Sequence, residues 1–462
     1  MSGPHATLQE ALIIHPGLGA GLARVKELCT DCGLCRDECG FLKRYGTPAQ
    51  IARAYDPAQD EWMRRPFECS LCRLCQAVCP VGVLPDKLFL EMRREAVDRG
   101  AAPFPEHARL LAYERTGFSR RYSFSALPSG CTTVLFPGCA FAGTRPERTR
   151  QLFKVLSLGD PRLGIVLDCC GRISHDLGRE DFTAAMFEDM RAFLTSHGVR
   201  EVIVICPNCY GMFRDYGEGL AVRMIYEVLP SHGGGDARLE GTVVLHDPCA
   251  TRFHPGCQTA VRTLLSLSGV IVKDMDHARQ MTLCCGSGAG VEAVAPDLAR
   301  QWLKRITGRA EGLTLATYCA GCQQRLAKKA QAVHALDLLY DPEAALAGRS
   351  PAARWPMTYL NRLRLKRSFC RDLPAAATRE RTFHAGQKTR GPWGRLPVLA
   401  ALIAIIVAAR FSGLTDYLDQ DSLRALMAQA EVLAPLIYVL TYTLAPALLL
   451  PGLPFTILGG VL

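Results

Sequence analysis

Two short runs could do redox chemistry: "CTDCGLCRDECG" from residue 29 and "CSLCRLCQAVCP" from residue 69. Both have the spacing C-x2-C-x2-C-x3-C, and the second ends in proline. Three thiolates on one tight loop can face a single iron-sulfur core, while the fourth, leaving on a helix, reaches a second core. On that crossed pattern Cys29, Cys32, Cys35 and Cys79 hold one [4Fe-4S] cluster, and Cys69, Cys72, Cys75 and Cys39 hold the other. The alternative is a pair of structural zinc sites, which need only four thiolates each.

A second cysteine pattern follows. "VLDCCGR" at 166–172 and "MTLCCGSGAG" from 281 each set two cysteines side by side. A disulfide between neighbours is disfavoured, because adjacent Cα atoms sit about 3.8 Å apart and unstrained bridges want roughly 4.4–6.8 Å. Cys139, Cys169, Cys170, Cys206 and Cys209 recur as Cys249, Cys284, Cys285, Cys319 and Cys322, and offsets of 110, 115 and 113 residues mark a duplicated domain. Each group follows an apolar run read as a strand, so five thiolates per copy should gather at the C-terminal edge of a parallel sheet, where such sheets place ligands. Zinc and a cubane each take four thiolates, and a fifth suits a larger or more open iron-sulfur cluster with a bridging sulfur ligand. Gly171 and Gly286 are expected to let the backbone pass close to the bound group. His246, in "HDPC", reads either as a hydrogen-bonding tuner of that group or as a structural histidine. Cys131, Cys257 and Cys370 have no ligand spacing and read as small buried or idle thiols.

Different elements must position these two patterns. Residues 20–112 are helix-friendly with no convincing strand, whereas 131–345 alternate short runs ("TTVLF", "GIVL", "EVIVI", "GTVVL", "GVIVK", "LTLAT") with helical stretches, the pattern of α/β domains with parallel sheets. The N-terminal spacing resembles two-cluster bacterial ferredoxins, and its thirty-residue gap resembles the helical two-cluster domain of respiratory iron-sulfur subunits. In both copies the pattern C-x(about 30–39)-CCG-x(about 35)-C-x-x-C resembles the cysteine-rich CCG domain family of heterodisulfide reductase and of glycolate, lactate and glycerol-3-phosphate oxidation systems. That resemblance covers residues 20–345 and implies a non-cubane [4Fe-4S] cluster, or zinc, in one or both CCG sites. "HPGLGAGLAR" and "CCGSGAG" mimic nucleotide loops, but the first follows no strand and the second is explained by the cluster. With no flavin or nicotinamide site visible, hydride chemistry falls to a partner.

Composition narrows the setting. The chain has 462 residues, 21 cysteines and a net charge of +10, with no signal-peptide pattern at its start. Eleven Lys/Arg between 354 and 395 face only Asp372 and Glu380, which argues for one local basic segment and against a general nucleic-acid surface. Past it lie an uncharged run at 396–409 and a longer one of thirty-one residues ending at Leu462, broken by prolines and glycines. "LLLPGLPFTILGGVL" resembles the opening part of the DedA-like (VTT) membrane family, and the basic residues ahead of the first span place residues 1–395, by expectation, on the cytoplasmic side of a cell inner membrane.

The expected organisation is multidomain: a helical two-[4Fe-4S] ferredoxin-type domain (1–115), two duplicated α/β CCG domains (131–238 and 239–345), a solvated basic linker (346–395) and transmembrane helices in an incomplete DedA-like segment (396–462). A chain ending near residue 350 is expected to keep every cluster. The functional expectation is a membrane-tethered electron-transfer subunit of an oxidoreductase, with a flavoprotein dehydrogenase or quinone as partner, contact with membrane lipid and no catalytic acid-base residue. Two alternatives stand beside it: a disulfide reductase working at the CCG cluster, and a membrane transporter with a redox-sensing cytoplasmic part.

Overall fold

A computed structural model describes residues 15–229, 241–349 and 352–381. The chain divides into two units, Met1–Ala385 and Gly386–Leu462, and the expected membrane segment lies outside the described residues. Among the described residues no helix is long and apolar enough to cross a membrane.

The N-terminal region is helical, and its long elements start where local chemistry dictates. Pro16–Leu28 opens with proline at its first position and the His15 side chain accepting from the Gly17 amide. Pro48–Ala54 opens with a reciprocal Thr47–Gln50 capping box. Pro85–Asp98 buries Leu88, Phe89, Met92 and Ala96 along one face against Leu18, Leu22 and Val25. Short helices Leu34–Glu38 and Leu74–Ala77 leave the two cysteine loops.

Among the described residues ten strands form two sheets. The first holds β1 (Phe124–Leu127), β2 (Thr133–Phe136), β3 (Gly164–Leu167), β4 (Glu201–Val204), β5 (Ala221–Met224) and β10 (Ala377–Arg379), in the order β10-β1-β3-β2-β4-β5. The second holds β6 (Gly241–His246), β7 (Val270–Asp274), β8 (Thr314–Thr317) and β9 (Ala332–His334), in the order β7-β6-β8-β9. All pairs in the second sheet are parallel, and so are β3-β2-β4-β5, so the duplicated landmarks sit on equivalent strands of two parallel sheets. One apolar core runs through both copies, from Leu135 and Ile203 to Leu245 and Ala316. A buried ion pair crosses between them, with Arg145 Nε 2.8 Å from Asp337.

The expectation of a solvated linker over 346–395 fails for 352–381. Met357–Asp372 is a sixteen-residue helix whose Leu365 and Phe369 join the core of the first copy. Asn361 donates to the Gly143 carbonyl, and Lys366 to the carbonyls of Arg120 and Ser123. The chain then adds β10 antiparallel to β1, pairing Leu127 with Ala377. Basic composition misled because these cations are used internally: Arg362, Lys366 and Arg381 are all buried.

Candidate iron-sulfur sites

In the N-terminal domain the structure groups the thiols in the crossed pattern. Burial and then the neighbouring Cys29, Cys79 and Cys32 push the Cys35 thiol up to about 11. Burial and then Cys72 raise Cys39 to about 12, and Cys75 is raised by burial and then by Cys69, with Cys72 and Cys39 also near it. The loops curl through left-handed backbone at non-glycine residues, φ 56° at Asp31, 47° at Leu71 and 64° at Arg73, a strain that costs energy unless something inside the loop holds it. Cys32 is exposed, while Cys69, Cys72 and Cys75 are buried. One site therefore faces solvent and the other the interior.

In the duplicated domains five of the six cysteine groups follow a strand end directly. Cys206 caps the helix Pro207–Tyr216 and Cys319 caps Ala320–Leu326, where the helix N-terminus favours a thiolate. Cys284 and Cys285 are the exception: residues 275–283, with a turn at Arg279–Met281, separate them from β7, so "MTL" is not a strand. Asp247 fixes the edge of this copy by accepting from Arg262 at 3.0 and 2.8 Å, from the Arg279 amide at 2.7 Å and from the Tyr318 hydroxyl at 2.9 Å.

The thiols touch in a continuous series. In the first copy Cys139 meets Cys169, and Cys209 meets both Cys170 and Cys206. In the second, Cys284 meets Cys249 and Cys285, and the Sγ atoms of Cys322 and Cys285 are 3.2 Å apart. Two contacts cross domain borders. Cys284 lies beside Cys72 and holds that thiol below its usual value, and Cys319 lies beside Cys206. The second copy thus stands between the buried N-terminal site and the first copy, an order that a sequence repeat with two equivalent halves gave no sign of.

The copies also differ in access. A cleft of about 450 Å³ is lined by all five cysteines of the first copy together with Cys249, and Arg73, Arg172 and Arg214 stand on its walls. Cys284, Cys285, Cys319 and Cys322 are buried away from it. Gly138, at φ 78°, makes room for the first set, since a Cβ there would lie 3.0 Å from Cys209 Sγ. Gly288 lets the second copy approach the N-terminal loop, because a Cβ would lie 2.8 Å from the Ser70 carbonyl oxygen. The expected role of Gly171 and Gly286 changes. Both are left-handed, but a Cβ on Gly286 would meet the Ala299 carbonyl oxygen at 2.4 Å, so its close approach is to a helix backbone.

His246 is fully buried beside Cys285, and neither ring nitrogen has a hydrogen-bond partner. Cys131 and Cys257 are buried and Cys370 is exposed, all outside the thiol series. "HPGLGAGLAR" is mostly the capped helix Pro16–Leu28 and not a phosphate loop. Among the described residues no three His, Cys, Asp or Glu side chains close on a point that would hold a single metal ion. The fit to clusters rests instead on the donor set: eighteen thiols, grouped four, four, five and five.

The helical two-site domain and the duplicated thiol-bearing α/β pair each resemble a known family of iron-sulfur domains. Residues 26–83 match the 4Fe-4S dicluster domain family, and 133–214 and 243–327 each match the cysteine-rich domain family, CCG. The chain is 24% identical over 290 residues to one subunit of the dihydromethanophenazine:CoB–CoM heterodisulfide reductase of Methanosarcina mazei, covering 56% of this chain and 71% of that protein. It is 27% identical over 335 residues to one subunit of the CoM/CoB fumarate reductase of Methanothermobacter marburgensis, covering 64% and 66%. With EtfAB:quinone oxidoreductase of Syntrophomonas wolfei it shares 23% identity over 301 residues, 58% of this chain and 40% of that one.

Proposed function

We propose that this chain is an electron-transfer subunit in which four thiolate sites form one line. The order is Cys29/Cys32/Cys35/Cys79, then Cys39/Cys69/Cys72/Cys75, then the second CCG set, then the first. The observation that carries this is the pair of cross-domain thiol contacts, Cys72 with Cys284 and Cys319 with Cys206. The N-terminal sets would hold two [4Fe-4S] clusters, and the five-thiol sets a non-cubane [4Fe-4S] cluster or zinc; bound iron-sulfur groups supply one-electron chemistry. Solvent exposure at Cys32 suits exchange with a redox partner such as a flavoprotein. The cleft suits exchange with a second acceptor at the far end.

That cleft also favours one other reading. It admits a small molecule to the thiols of the first copy, as a disulfide reductase would require. Attachment to a membrane through residues 396–462 is supported by the uncharged runs of the sequence, and vesicle binding by the whole chain tests it separately.

Iron, sulfide and zinc content with low-temperature EPR of anaerobic protein is the deciding measurement. About twelve to sixteen irons per chain are expected, for two cubanes plus one or two further four-iron clusters. Stoichiometric zinc with little iron would end the electron-transfer reading. Reoxidation by quinone or flavoprotein without turnover of small disulfides favours the relay, and repeated disulfide turnover favours the reductase.

A further inference from the structure

Arg362 stands out among the buried cations. It lies on the helix Met357–Asp372, is 5% exposed, and its Nη1 atom is buried with no hydrogen-bond partner. Its buried neighbours are committed differently. Arg381 clamps Asp168 at 2.7 and 3.0 Å, and Lys366 reaches Glu380 at 2.6 Å. Among the described residues no carboxylate stands within ion-pair distance of Arg362. Its Cζ lies 5.0 Å from the Tyr122 ring centroid, a contact too weak to offset the burial of a full charge.

What Arg362 does face is the first CCG site. It shares a small cavity with Gly138, Cys139 and Asp168, and that carboxylate is already paired with Arg381. A Cβ placed on Gly117 would lie 3.1 Å from Cys169 Cβ and 3.6 Å from Arg362 Nη2, so thiol and guanidinium flank the same point. Tyr113 lines the cleft beside Cys139, and its ring stacks edge-on against Tyr359 of the same helix at 6.2 Å. A buried cation without a partner costs several kcal/mol, and burial is retained where an anion is held beside it. Five thiolates around a cluster are such an anion.

Resting on the reading that the first CCG site holds a cluster, we infer that Arg362 is its charge-balancing residue: a positioning residue, not a ligand, delivered from beyond the second CCG domain to set the reduction potential of the first. Cations and hydrogen bonds at the sulfurs favour the reduced, more negative state. Arg362, supported by Tyr113, therefore makes the cleft-facing site the better electron acceptor of the CCG pair. Electrons in the line are thereby drawn toward the cleft.

The test is an EPR-monitored redox titration of the whole chain, with the signal of the first site assigned as the one that Cys139→Ala removes. Arg362→Gln is expected to shift the one-electron equilibrium of that signal at least tenfold toward the oxidised form, which is about 59 mV, and to leave the other signals in place. Arg362→Lys, which keeps the charge, should restore most of the shift. An unmoved potential with full iron content overturns the inference. Should Arg362→Gln fail to load the site, Arg362→Lys decides: loading at the native potential supports charge balance, and loss in both variants reduces Arg362 to packing. Wild-type protein with no signal dependent on Cys139 would instead defeat the underlying cluster assignment.

Discussion

The Arg93 guanidinium donates to the Cys69 carbonyl at 2.6 Å from complete burial. The same group donates to Pro66 at 2.9 Å, to Ala289 of the second CCG copy at 3.0 Å and to Asp176 of the first. One side chain thus ties a cysteine loop to both α/β domains. Hydrogen bonds from a charged donor are worth roughly 1.5–3 kcal/mol each, and leaving buried carbonyls unmatched adds to the loss.

Arg93→Met should therefore destabilise the chain by about 3–5 kcal/mol and release the N-terminal domain from the others. Guanidinium unfolding together with limited proteolysis checks this. A single cooperative transition within about 1 kcal/mol of wild type would show that the bridge is incidental.

Gly138→Ala tests the fit of the first site. The residue is left-handed, and the added methyl would press on Cys209 Sγ and on Cys206 Cβ at 3.1 Å. Iron should fall by the content of one cluster, with the N-terminal EPR signals retained. Full iron content in a folded variant would mean that the cysteines of this copy do not need that spacing.

Removing residues after 350 strips off Met357–Asp372 and β10, and with them the burial of Leu365 and Phe369. A chain ending there should aggregate or unfold at markedly lower temperature, whereas one ending at 385 should not. Thermal unfolding of the two chains compares them. Equal stability would restore the linker reading that the basic composition suggested.

Histidine burial sets an acid limit. His107 is fully enclosed against Phe67 and Phe104, and burial followed by the nearby Arg93 lowers it from 6.5 to about 4. Because the folded value lies below the unfolded one, its contribution is complete above pH 6.5 and is lost as pH falls from 6.5 toward 4. About 2 kcal/mol should disappear between roughly pH 7 and pH 5, read as a falling denaturant midpoint. His107→Gln should flatten that slope, and an unchanged slope would place the acid sensitivity elsewhere. His334, also lowered by burial and then by Arg145, acts in the same direction.

The sequence disclosed the chemistry and the main scaffold because both are written locally. Cysteine spacing fixes which thiols share a loop, and the six apolar runs became β2, β3, β4, β6, β7 and β8. Strands with weak local signals escaped: β5 is the half-exposed segment "AVRM", β9 has three residues, and β1 and β10 depend on each other across the chain. The order of the sites was equally hidden, since it depends on Cys284 meeting Cys72 and Cys319 meeting Cys206 across domain borders. Arg362 and Arg381 carried no signal at all. In sequence they are two cations in a basic run, and only folding gives them opposite surroundings.

The return of β10 to β1 has a consequence for synthesis. About 250 residues separate Leu127 from its partner Ala377, so on a ribosome adding roughly 5–20 residues per second the first α/β domain waits on the order of ten to fifty seconds for its last strand. The second CCG domain, whose strands lie contiguously between Gly241 and His334, is already complete by then. The domain translated earlier thus closes later. Until the helix Met357–Asp372 arrives, that domain also lacks Leu365 and Phe369 from its core and Arg362 beside Cys139, so its site is the last to be assembled.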